Sequence, residues 1–90
     1  MKYLKKRKVY ALAVKLLGQY ELPMCADCSY KAYSGFEWLS FFSDRGHVTF
    51  SIMNCGKWIR VYEKSDDGEV LLDKILKPVD FSSVLMEVCA

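Results

Sequence analysis

The chain has 90 residues, 52% of them hydrophobic and 27% charged, with a formal net charge of +2. These are the proportions of one folded domain over residues 1–90, not of a disordered or multidomain chain. A chain of this length buries only about 60% of the surface its unfolded form exposes, which argues against a deep pocket, and no stretch approaches the ~20 apolar residues of a membrane span.

The net charge hides an asymmetry. Residues 1–20 carry Lys2, Lys5, Lys6, Arg7, Lys8 and Lys15 with no acid, hence +6, and the rest of the chain carries −4. The basic start followed by the apolar Val9–Leu17 run has the outline of a secretory signal. Lys15 interrupts that run, however, and Gln19, Tyr20 and Glu21 stand where a small-residue cleavage site belongs. The expectation is an unprocessed cytoplasmic protein with reduced cysteines.

Val9, Leu12, Ala13, Leu16 and Leu17, with Tyr10, Val14 and Tyr20, fall on one arc at 100° per residue and predict an amphipathic helix. Four cations around its first turn oppose the helix dipole, so the helix is expected to begin late, near Lys6, and to end before Pro23. Met24–Gly35 shows no sustained period and reads as a loop. From Phe36 the period becomes two, giving strands at Phe36–Ser43, His47–Met53, Lys57–Lys64 and Glu69–Lys77 joined by short loops that end in glycine. Pro78 breaks the last strand, Asp80 can cap, and Phe81, Val84, Leu85 and Val88 repeat at helical spacing. The predicted fold class is α+β: an N-terminal helix, a four-stranded antiparallel β-meander and a short C-terminal helix.

Counting three-residue loops at the first two hairpins and four residues at the last sets a register. Phe42 then faces Val48, Trp38 faces Ile52, Ile52 faces Trp58, His47 faces Glu63 and Arg60 faces Asp73. One sheet face would collect Phe36, Trp38, Phe42, Val48, Phe50, Ile52, Trp58 and Tyr62 under the long helix. The other would collect Leu39, Phe41, Met53, Ile59, Val61, Val70, Leu72 and Leu76, with Glu37, His47, Thr49, Ser51 and Glu63 among them. The short C-terminal helix would shield only part of this second face, leaving apolar area for a partner, a second copy among the candidates.

Cys25 and Cys28 form a CxxC in a loop, and Cys55 precedes Gly56 in a tight turn, half of a zinc knuckle. Residue 52 is Ile where a paired cysteine would stand, so a zinc site on Cys25, Cys28 and Cys55 would need His47 or Cys89 as its fourth ligand, neither at a diagnostic spacing. No cofactor is favoured. His47, the single histidine, could serve as a base oriented by Glu63, yet no nucleophile motif accompanies it, and the five glycines are dispersed with no phosphate-binding run. The expectation is a non-enzyme. Lys5, Lys6, Arg7 and Lys8 suit an acidic protein patch or nucleic-acid phosphates, and Tyr30 and Tyr33 are aromatics of the kind that anchor interfaces. The leading expectation is a small protein-binding inhibitor or adaptor, of the type by which phages and mobile elements block host factors. The alternatives are a nucleic-acid-binding regulator that uses the basic helix, and a zinc-stabilised interaction domain.

Overall fold

A computed structural model describes residues 4–25, 27–53 and 57–89. The elements are α1 (Lys6–Leu17), a 3₁₀ turn (Gly18–Tyr20), β1 (Ser29–Tyr33), β2 (Phe36–Phe42), β3 (Gly46–Met53), β4 (Trp58–Ser65), β5 (Val70–Leu76) and α2 (Pro78–Cys89). The five strands form one antiparallel sheet in the order β1-β2-β3-β4-β5. The class is therefore α+β as expected, with one strand more. Among the described residues no helix is long and apolar enough to cross a membrane.

The extra strand, β1, lies in the segment read as a loop. Its two tyrosines, Tyr30 and Tyr33, fall at opposite parity and so hide the two-residue period. Tyr33 pairs with Phe36, and the Ser34-Gly35 turn between them has φ of 50° and 92°. Positive φ at both central positions is what a type I′ hairpin turn requires.

The predicted register is wrong by one residue at two hairpins, and the reason is local. Ser43 and Gly46 exchange backbone hydrogen bonds of 2.7 and 3.3 Å, so the β2–β3 loop is Asp44-Arg45 alone, and Gly46 belongs to the strand. An added Cβ at Gly46 would lie 2.0 Å from the Lys64 carbonyl oxygen; the glycine is there for the close approach of β4, not to turn the chain. Phe42 then faces His47, Phe41 faces Val48 and Trp38 faces Ser51. Across β3 and β4, Ile52 faces Ile59 and Met53 faces Trp58. A one-residue slip turns every side chain of a strand over, so β2 and β4 present faces opposite to those predicted while β3 keeps its own. Between β4 and β5 an irregularity at Glu63 and Lys64 sets Asp73 opposite Tyr62, not Arg60.

The buried face consequently collects Leu39 and Phe41, Val48, Phe50 and Ile52, and Ile59 and Val61, closed by Val9, Leu12, Ala13, Leu16 and Leu17 of α1. Each such aliphatic side chain contributes about 1.5–3 kcal/mol by leaving water. The helix starts at Lys6 as predicted, with no acid in its first turn and no side-chain cap on Lys5. It ends ahead of Glu21, which has φ 58° and is followed two residues later by Pro23. Pro78 opens α2 at a position where its missing N–H costs nothing, and Asp80 Oδ2 accepts from the Lys77 N–H at 3.0 Å, the return half of a capping box.

The C-terminal helix does not shield the second sheet face. Phe81 of α2 joins the same core as α1, Lys15 is paired with Glu87, and Lys8 Nζ donates to the Cys89 carbonyl at 3.3 Å, where a cation favours the end of α2. Both helices occupy one side of the sheet, and among the described residues no helix lies over the other side.

Candidate functional site

The uncovered face is built by alternation along the strands. Lys31 of β1 is opposite Trp38 of β2, Trp38 is opposite Ser51 of β3, and Ser51 is opposite Arg60 of β4. The neighbouring row runs Ser29, Ser40, Thr49, Tyr62 and Asp73. Trp38, Arg60 and Tyr62 are half-buried, and the short hydroxyl side chains between them leave depressions. A hollow of about 300 Å³ is lined by Trp38, Thr49, Ser51, Arg60 and Tyr62. A second, of about 270 Å³, lies on the far side of the same indole, lined by Ser29, Lys31, Trp38 and Ser40.

Fixed contacts hold this face in shape. The Phe36 and Trp38 rings lie 5.1 Å apart at 39°. Arg60 Nε and Nη2 donate to the two Asp73 oxygens, each at 2.8 Å, and its guanidinium carbon sits 4.8 Å from the Tyr62 ring centre, a cation–π distance. The hydrogen bonds from Arg60 hold the Asp73 carboxyl below its ordinary range, and the same contact raises Arg60. The predicted Arg60–Asp73 pair thus exists, reached diagonally along the face.

The sequence-predicted residues do not converge on one site. Lys5, Lys6 and Arg7 are exposed on the helix side, while Lys8 is engaged with the end of α2. Tyr30 packs against the core and its hydroxyl donates to the Leu4 carbonyl at 3.0 Å, so it anchors the entry to α1. Tyr33 lies in β1 opposite Phe36. Cys25 is exposed and Cys28 half-buried. Cys28 and His47 border one hollow of about 300 Å³. No group of three or more His, Cys, Asp or Glu among the described residues is arranged to hold a metal ion, and Cys55 lies outside those residues.

The predicted His47–Glu63 pair is corrected by the register. His47 faces Lys64 and stands edge-on to Phe42, ring centres 5.5 Å apart, on the open side. Glu63 faces Val48 on the buried side, fully inaccessible, where it accepts from Ser43 Oγ at 2.8 Å and from Arg45 through two nitrogens. It forms one wall of a groove of about 440 Å³ between residues 20–25 and the β2–β3 hairpin. With its lone pairs engaged, Glu63 is placed to hold the hairpin and not to orient a base.

Sequence reasoning kept Trp38 and Tyr62 on one face but placed that face under the long helix; it missed Lys31, whose segment was read as a loop, and the slipped register put Thr49 and Ser51 on the other face. The signal that could have found them is Ser43: a residue fit to bond back to its own turn shortens the loop by one. In comparison with known proteins, no family model, no curated protein and no solved structure matches the chain.

Proposed function

We propose that this protein is a small non-enzymatic binding module that acts by occupying the surface of a macromolecular partner, with the open sheet face as its contact surface. One observation carries the reading: α1 and α2 pack on the same side of the sheet, so among the described residues neither helix lies over the face that bears Trp38, Tyr62 and Arg60. Trp, Tyr and Arg are the residues most enriched where binding energy concentrates. Inhibition or adaptation by steric occupation is the activity such a surface supports, on a protein or on a nucleic acid. A protein partner is the expectation from size and from the lack of a catalytic set.

The test compares folded variants as bait in native lysate. Trp38→Ala and Ser51→Glu should lose the partners that the wild type retains, whereas the combined Lys5→Glu, Lys6→Glu and Arg7→Glu change should keep them. The reverse pattern would move the contact surface to α1 and overturn the reading.

A further inference from the structure

We infer that the open face is a stacking platform for single-stranded nucleic acid, with one base in each of the two hollows flanking Trp38 and backbone phosphates drawn to Lys31, Arg60 and Lys64. The inference rests on the reading of this face as the contact surface and names its partner by chemistry. Three features of the face favour that partner.

The first is shape. β2 and β4 are two inter-strand steps, about 10 Å, apart, and the intervening β3 positions hold Thr49 and Ser51, too short to fill the gap between Trp38 and Tyr62. The result is a pair of hollows of about 270 and 300 Å³ sharing one indole wall. An aromatic wall beside each hollow suits planar rings, and base–aromatic stacking tolerates any base because every base has a π-face.

The second is charge. The strand residues of this face include three cations, Lys31, Arg60 and Lys64, against one carboxylate, Asp73, an excess of two. That carboxylate is held by both donor atoms of Arg60, and the guanidinium is kept flat along Tyr62. The face therefore attracts an anion even though the chain beyond residue 20 is acidic overall.

The third is hydrogen-bonding character. Ser29, Ser40, Thr49 and Ser51 put four hydroxyls beside the cations. Lysine and serine are depleted at protein–protein interfaces, and serine and threonine are scarce among hot spots. The same groups are common ligands of phosphate and sugar oxygens. Helices on one side of an antiparallel sheet and stacking aromatics on the other is an arrangement that RNA-binding sheets use; that parallel concerns the physics of the surface alone.

The experiment is a fluorescence-anisotropy titration of labelled oligothymidylate and oligouridylate with the intact protein at low salt, with a blunt DNA duplex as control. Expected are binding of the single strands in preference to the duplex, and a slope of log K against log salt of roughly −1.4, from two neutralised phosphates at about −0.7 each. Trp38→Ala should weaken binding by roughly fivefold to a hundredfold. Lys31→Glu, at an exposed position that packing does not need, should weaken it as well, and the triple charge reversal at Lys5, Lys6 and Arg7 should leave it unchanged. Circular dichroism verifies that each variant is folded. Absence of binding at low salt, equal binding of duplex, or loss through the α1 variant alone overturns the inference. If no oligonucleotide binds and Trp38→Ala still abolishes capture of a cellular protein, the nucleic-acid inference falls and the open-face reading stands; if neither surface variant affects any capture, both fall.

Discussion

Two carboxyls, Glu37 and Glu63, are fully buried on the covered face of the sheet, and each holds a different part of the chain. Glu63 fixes the β2–β3 hairpin through Ser43 and Arg45. Arg45→Ala would leave that carboxylate buried beside a single hydroxyl donor. Breaking a buried pair typically costs about 3–5 kcal/mol, and because the Arg45 side chain is 57% exposed, the loss should lie at or below the low end, about 2–3 kcal/mol. Asp44→Ala, one position away, should be close to neutral, and denaturant unfolding of both variants checks the contrast. Glu37 instead accepts from the Leu4 N–H at 2.6 Å, while its other oxygen, Oε2, has no hydrogen-bond partner among the described residues. Burial pushes its carboxyl up from 4.5, partly offset by the Leu4 N–H. An acid whose folded pKa is raised contributes its full stability below the unfolded value and loses it as pH rises through the folded one. The wild type should therefore lose stability relative to Glu37→Gln as pH increases above about 4.5, a trend that thermal melts across the acid range would show; a constant difference would mean Glu37 is not titrating there.

At the scale of elements, the two helices were legible because an apolar arc at 3.6-residue spacing depends on nothing outside the segment. Four of the five strands were legible for the same reason. Pairing was not, since register is set where two strands meet, and at Gly46 the deciding fact is contact with Lys64 of another strand. β1 was hidden by its tyrosine parity and by a turn of Ser-Gly where Asn-Gly is the stronger signal. That choice leaves Ser34 at a φ of 50°, which asparagine adopts more readily than serine. Ser34→Asn should stabilise the protein by about 0.5 kcal/mol, a rise of a few degrees in Tm for a domain this small, whereas Ser34→Val should lower it. Calorimetry of the two variants tests whether the hairpin has this geometry.

Across the whole molecule, what escaped the sequence was the placement of layers. Composition indicated more apolar surface than one helix could cover, and the resolution of that excess is that α1 and α2 share a side while the bare face dilutes its aromatics with hydroxyls and charges. The basic run, read from the sequence as a contact region, and the open aromatic face consequently lie on opposite sides and do not form one continuous patch. The pairing of the helices has a consequence in time. Every strand pairs with its sequence neighbour, so the sheet can grow hairpin by hairpin from local encounters, the kind of topology that folds fast. The links between α1 and α2 join residues 72 and 81 positions apart. During synthesis, which presents the N-terminal part first, α1 is available before the strands but its companion emerges only after β5. Because α2 follows β5 in the chain, all five strands are made before α2 can close over the interior, and it acts as the clasp.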